Sequence, residues 1–117
     1  MRTIGKILPD FTRQVSDKLR EYGREYLAVQ IPTLELDHWT NDSRTGAVYI
    51  YLSGQRPLNG TEEDIIGARH DDCLELADLG GTVLVDIDNF DRLLGIEIVG
   101  RKDVPQQLKK VRPPSPF

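Results

Sequence analysis

The clearest pattern in the chain is the alternation of apolar and polar residues between Thr82 and Val99. Two alternating segments flank the turn-forming residues 89–92, which predicts a β-hairpin. A four-residue turn aligns three apolar pairs on one face, namely Ile87 with Leu94, Val85 with Ile96 and Val83 with Ile98. A slip of one residue would break all three pairs, so the pattern predicts both the register and the face that enters the core.

A second hairpin is predicted for residues 34–53, where two alternating segments flank turn formers at 41–46. A five-residue loop, 41–45, aligns a second apolar face, with the pairs His38 with Val48, Leu36 with Ile50 and Leu34 with Leu52. The alternation assigns five residues to the opposite face: Glu35, Asp37, Trp39, Tyr49 and Tyr51. That face therefore combines aromatic rings with carboxylates.

Residues 10–27 carry an apolar stripe at helical spacing and predict an amphipathic helix. The stripe consists of Phe11, Val15, Leu19, Tyr22 and Tyr26. Asp10 is predicted as the N-cap after Pro9. Gly23 weakens the helix and gives an alternative end, in which case Tyr26 starts the next segment. The stripe can cover one face of the sheet or pair with its copy in a dimer, and we favour the cover.

The remaining segments complete an α+β fold with an antiparallel sheet of four or five strands and one helix over one face. Residues 54–61 are predicted as a loop. Residues 62–77 leave two options, a short helix from the capping-box pattern Thr61-x-x-Asp64 or a strand at Cys73 to Ala77, and we favour one short irregular strand. Residues 104–111 predict one or two helical turns with Pro105 in first position. A single domain spans 1–112, and 113–117 form a flexible Pro-rich tail.

Charge is distributed unevenly along this chain of net charge −4. Residues 31–99 carry 14 acidic and 4 basic residues, whereas residues 1–30 and 100–117 carry net charges of +2 and +4. The acidic body either serves solubility, with the basic ends folded back on it, or receives a basic partner. Nucleic-acid binding by this body is disfavoured, because phosphate contacts need clustered Lys and Arg.

The sequence also bears on localisation. It has no apolar run of membrane length, no signal peptide and a single cysteine, Cys73. We therefore expect a cytoplasmic protein without membrane contact.

Two segments resemble a family of small bacterial proteins known only as a domain of unknown function. Its strand pattern Asp-x-x-x-(Ala/Gly)-x-Tyr-Ile-x-Leu resembles residues 42–52, which hold one more residue between Asp42 and Tyr49. Its hairpin pattern Val-x-x-Asp-x-Asp-x-x-x-x-Leu-x-Gly-Ile-Glu-Ile is similar to residues 83–98. The resemblance covers about residues 34–100. It implies a small antiparallel sheet, and it carries neither an activity nor catalytic residues onto this chain.

Two groups of residues have the composition of metal sites. The segment from Asp86 to Asp91, with Asp88 between them, resembles the start of an EF-hand calcium loop. That loop needs an oxygen ligand and then Gly at the positions where this chain has Phe90 and Asp91. We therefore favour turn contacts for these aspartates over a weak divalent-cation site. His70 and Cys73 have half-site spacing, yet zinc needs a second pair of ligands, and a Cys–His nucleophile would need an orienting group. We therefore expect no metal, cofactor or catalytic residue.

These patterns together predict a non-enzymatic protein–protein interaction module that forms a homodimer. The expected partner-binding residues are Trp39, Tyr49, Tyr51, Glu35 and Asp37, since Tyr and Trp are enriched at interfaces. The face they form can instead be packed under the N-terminal helix. One alternative function is an acidic antidote that neutralises a basic nuclease toxin or another basic protein. A second is a small metal- or ligand-dependent enzyme that uses His70, Asp72 and Asp86.

Overall fold

The computed structural model describes residues 2–42, 44–53, 70–88 and 92–111, with side chains omitted at 70–72 and 111. Its helices are α1 (Ile4–Ile7), α2 (Pro9–Glu21), α3 (Glu25–Gln30) and α4 (Asp103–Val111), with one 3₁₀ turn at Ile31–Thr33. Its strands are β1 (Glu35–Asp42), β2 (Ala47–Ser53), β3 (His70–Leu76), β4 (Thr82–Asp88) and β5 (Leu93–Val99). The predicted loop 54–61, the capping box at Thr61, the turn residues 89–91 and the tail 113–117 lie outside the described residues.

The five strands form one antiparallel sheet in the order β1-β2-β5-β4-β3. This confirms the α+β class and both hairpins, and β5 pairs with β2 to join them. Residues 70–76 form a strand, which agrees with the strand predicted within residues 62–77, and residues 62–69 lie outside the described residues. In the β4–β5 hairpin the predicted pairs Val83–Ile98 and Val85–Ile96 are present. The third predicted pair is wrong, because a bulge at Leu94 places Leu93 opposite Ile87 and buries Leu93 instead.

The predicted register of the β1–β2 hairpin is wrong. Leu36 lies opposite Leu52, and a bulge leaves Asp37 as the extra residue before His38 pairs with Tyr51. The bulge inverts the alternation along the rest of β1, so Trp39 faces the core and pairs with Ile50. Trp39 is only 1 % exposed, whereas His38 points to the other face of the sheet. Compared with the predicted register, the bulge buries the indole of Trp39 in place of the imidazole of His38. The indole is larger, so its burial removes more apolar area from water.

The helices cover the face of the sheet that carries the alternating apolar residues of β2, β4 and β5. The predicted helix 10–27 is two helices, because α2 ends at Glu21 and Gly23 adopts a left-handed φ of 77°. This confirms the alternative that Gly23 ends the helix. The predicted N-cap Asp10 is wrong, since the helix starts one residue earlier at Pro9, and Leu8 is the capping position.

Two buried hydroxyls join the helices to one another. Thr12 Oγ1 donates a hydrogen bond to the Ile4 carbonyl at 3.1 Å, and Ser16 Oγ donates to the Ala28 carbonyl at 3.1 Å. Both bonds satisfy polar groups that would otherwise be costly to bury. They hold α1 and α3 against α2.

Arg101 fastens the C-terminal helix to the rest of the domain. Its guanidinium donates to Gln14 Oε1 at 2.7 Å, to the Leu79 carbonyl at 3.0 Å and to Asp103 Oδ2 at 2.6 Å, and it lies 5.1 Å from the centre of the Phe11 ring. α4 begins at Asp103, so Pro105 is its third residue rather than the predicted first. Among the described residues, no helix is long and apolar enough to cross a membrane.

Candidate functional site

The face of the sheet opposite the helices, here called the outer face, is built from the residues that alternate with the core positions. The strand pairing arranges its residues in rows across the sheet. One row reads His38, Tyr51, Gly95, Asp86, Cys73 and the next reads Thr40, Tyr49, Glu97, Leu84, Glu75. Two shorter rows flank these, Glu35 with Ser53, and Asp42, Ala47, Val99 and Thr82. No helix covers this face in the described parts of the chain.

Tyr49 leaves its own row and lies diagonally across β5. A Cβ placed on Gly95 would stand 2.5 Å from Tyr49 Cε1 and 2.6 Å from its hydroxyl oxygen, so the ring occupies the space that a side chain at 95 would fill. The ring thereby reaches the next strand, where the Tyr49 hydroxyl donates a 2.6 Å hydrogen bond to Asp86 Oδ2. A short hydrogen bond to a carboxylate is strong and directional. Gly95 and Asp86 therefore fix the orientation of Tyr49.

The row of rings continues toward β1. Tyr51 lies 4.6 Å from Tyr49, measured between ring centres, and its other side is stacked on the imidazole of His38 at 4.0 Å with planes 13° apart. His38 Nδ1 is 2.8 Å from Asp37 Oδ2, so the residue that forms the bulge also orients the imidazole. Four strands thus contribute to one continuous line, which spans roughly 15 Å at the usual strand spacing.

The electrostatics of this line favour a neutral phenol at Tyr49. Partial burial and the hydrogen bond to the Asp86 carboxylate raise the pKa of Tyr49 above its ordinary value of 10.0, because the phenolate would be poorly hydrated and would face a negative charge. Tyr49 therefore remains a hydrogen-bond donor at all physiological pH values. The arrangement holds a rigid ring in place and does not make the phenol a better nucleophile or base.

Asp88, a metal candidate in the sequence, is bound within its own hairpin. Its carboxylate is buried and accepts hydrogen bonds from the Arg92 backbone N–H at 2.9 Å and from Arg92 Nε at 2.7 Å. The Asp88 N–H in turn donates to the Arg92 carbonyl at 2.9 Å. These bonds close the β4–β5 hairpin on both sides of residues 89–91, as the turn interpretation predicts.

The other candidate ligands do not form a donor set in the described part of the chain. Asp86 accepts the Tyr49 hydroxyl, and Cys73 is exposed on the outer face opposite Asp86. The side chains of His70 and Asp72 are not among the described side chains. Among the described side chains, no three of His, Cys, Asp and Glu are close enough together to hold a metal ion.

The predicted partner-binding residues separate into two groups. Tyr49, Tyr51 and Glu35 share the outer face, and Asp37 stands beside it in the bulge. The predicted placement of Trp39 is wrong, because the bulge turns it into the core. Its place in the aromatic row is taken by His38, which the predicted register assigned to the core.

Sequence reasoning also missed the contribution of Gly95. Gly95 lies on the outer face opposite Asp86, and the sequence analysis did not recognise the space above it as the path of Tyr49. A glycine in the interior of a central strand, with an aromatic residue on the neighbouring strand, was the available signal.

The chain was compared with family models, curated proteins and solved structures, and no match was found. The resemblance of residues 34–100 to a family of unknown function stays a prediction.

Proposed function

We propose that this protein is a non-enzymatic protein-interaction module that binds another protein through the outer face of its sheet. The observation that carries the proposal is the line formed by His38, Tyr51, Tyr49 and Asp86, which is held rigid by stacking and by hydrogen bonds. Aromatic side chains fixed in one orientation lose little entropy on binding and present large amphipathic surfaces.

The exposure of Tyr51 supports a surface role. Tyr51 is 39 % exposed although it lies on β2, inside the sheet between β1 and β5. Tyrosine is enriched at protein interfaces, and hot spots cluster near the centre of the buried patch. We propose a cytoplasmic setting, in which the exposed thiol of Cys73 on the same face stays reduced.

The proposal is tested by photo-cross-linking in the source organism. A photoreactive phenylalanine analogue replaces Tyr51 in one variant and Val29 in a control variant, since Val29 is 55 % exposed on α3 on the opposite side of the domain. We expect a discrete cross-linked protein from position 51 and none from position 29.

A cross-link formed from position 29 alone would move the binding surface to the helices. An absence of any cross-link at 51, with the variant folded and expressed, would contradict the proposal.

A further inference from the structure

We infer that the partner of the outer face is a basic segment of a different protein, an inference that rests on the proposed function. Apart from the Asp88–Arg92 ion pair at the end of the β4–β5 hairpin, the described outer face carries five carboxylates and no lysine or arginine. The five are Glu35, Asp42, Glu75, Asp86 and Glu97. Interfaces pair surfaces of opposite potential, so this face fits a positively charged surface.

The placement of the carboxylates defines how such a segment would be held. Glu97 and Glu75 lie on either side of Leu84 in one row, on strands β5 and β3. Lysine and arginine side chains combine an apolar stem with a charged head. A stem packed on Leu84 brings the head to either carboxylate. The Tyr49 ring, which lies over Gly95 in the neighbouring row, adds aromatic surface close to Glu97.

The same charges disfavour a second copy of this chain as the occupant. A symmetric dimer through the outer face would place Glu97 and Asp86 of one copy close to the same carboxylates of the other. Like charges brought together at an interface repel each other and weaken association. The burial of Trp39 also removes one of the three aromatic rings of the predicted partner-binding face.

The charge changes sign at the Val99 edge of the outer face. A groove of about 480 Å³ between α4 and the β1–β2 turn is lined by Val99, Lys102 and Lys109. A basic partner is therefore repelled at this edge and attracted to the rows that carry Glu97, Glu75 and Asp86, where the attraction is screened over about 10 Å at 0.1 M salt.

The test uses the full chain and two synthetic ten-residue peptides, one alternating lysine with valine and one alternating glutamate with valine. Binding is followed by backbone amide shifts in NMR and by calorimetry. We expect the basic peptide to shift amides of β2, β4 and β5 at Tyr51, Leu84 and Glu97, with weaker binding at higher salt. The acidic peptide should shift none of these amides.

Two charge-matched double variants separate the effect of the binding site from the effect of the protein's net charge. Glu75→Lys with Glu97→Lys should weaken binding of the basic peptide by about tenfold or more, because two attractive pairs become repulsive. Asp10→Lys with Asp17→Lys changes the net charge equally on the exposed surface of α2 and should change affinity by less than about threefold.

Equal weakening by both pairs of variants, or shifts confined to other surfaces, would overturn the inference of a basic partner at this face. A dimer that persists in high salt and is lost on Tyr51→Ser would also overturn it, and would leave the proposed interaction function standing. A neutral or acidic protein cross-linked from position 51 has the same consequence. The proposed function fails separately, if position 51 yields no cross-link.

Discussion

Gly95→Ala is the substitution that tests the geometry of the outer face most sharply. The new methyl group would stand 2.5 Å from Tyr49 Cε1, 2.6 Å from the Tyr49 hydroxyl oxygen and 2.6 Å from the Ile50 carbonyl oxygen. None of these contacts is tolerable, and the Ile50 carbonyl belongs to the backbone of a central strand. The ring of Tyr49 must therefore leave, and its hydrogen bond to Asp86 is lost.

The expected cost follows from these contacts. Overpacking costs about 1–3 kcal/mol, and a hydrogen bond to a charged group contributes about 1.5–3 kcal/mol. Gly95 does not have a positive φ, so alanine would otherwise stabilise the folded state by about 0.4–1 kcal/mol through the unfolded chain. The net prediction is a loss of about 2–4 kcal/mol, a large part of the stability of a domain this size.

Urea unfolding followed by the fluorescence of the single Trp measures this loss. With a slope of about 2 kcal/mol per molar urea, the middle of the usual range, the midpoint should fall by roughly 1–2 M. In a Tyr49→Ser background the cost of Gly95→Ala should shrink by about 1 kcal/mol or more, because only the clash with the Ile50 carbonyl remains. A midpoint at or above that of the wild type would refute the placement of the Tyr49 ring over Gly95.

Three further predictions concern the residues that hold the domain together. Asp88→Ala should destabilise the domain by about 3–5 kcal/mol, measured by thermal melting, because it leaves Arg92 without its buried partner. Trp39 should show blue-shifted emission and weak quenching by acrylamide, and exposed-type emission would contradict the bulge. Arg101→Ala should raise the pKa of the Asp103 carboxyl toward its ordinary 3.8, because the guanidinium hydrogen bond lowers it. Since a lowered carboxyl pKa stabilises the fold above that value, the stability gap between wild type and Arg101→Ala should narrow as the pH falls below about 4.

The pH dependence of the Tyr49 phenol gives a prediction in alkaline solution. Its pKa is raised by burial first and by the hydrogen bond to Asp86 second, so Asp86→Asn should lower the pKa only part of the way toward 10.0. Because the folded state holds the phenolic proton more tightly, stability should decline as the pH rises above about 10. Absorbance titration of the phenols in wild type and variant measures this. Simultaneous titration of every tyrosine near its ordinary value would contradict the contact.

The central hairpin could be predicted from the sequence because alternation alone specifies its core face. Val83 and Val85 are apolar on a strand whose other face carries Asp86, and any slip would bury the carboxylate. The bulges at Asp37 and Leu94 could not be read in the same way. Each bulge adds one residue to a strand without any sign in the local composition. Its effect on stability depends on which side chains the helices bury against the sheet. The predicted register of β1 nevertheless carried a sign of error, because it exposed Trp39 and buried His38 on the same strand.

The candidate site was predictable only in part, for the same reason. Tyr49 and Tyr51 belong to a strand without a bulge, and the sequence placed both correctly on one face. The contact of Tyr49 with Asp86 crosses a whole strand and depends on the space above Gly95. Diagonal contacts of this kind follow from the order β2-β5-β4, which the two separate hairpins do not specify.

The central claim, that the outer face binds a partner protein, is tested most directly by the affinity of the purified complex. Once the protein cross-linked from position 51 has been purified, its dissociation constant is measured by calorimetry for wild type, Tyr51→Ser and Val29→Ser. Truncating an interface tyrosine should weaken binding by about tenfold or more, whereas Val29→Ser should change it by less than about twofold. A loss of affinity in Val29→Ser, with Tyr51→Ser binding as wild type does, would contradict the account.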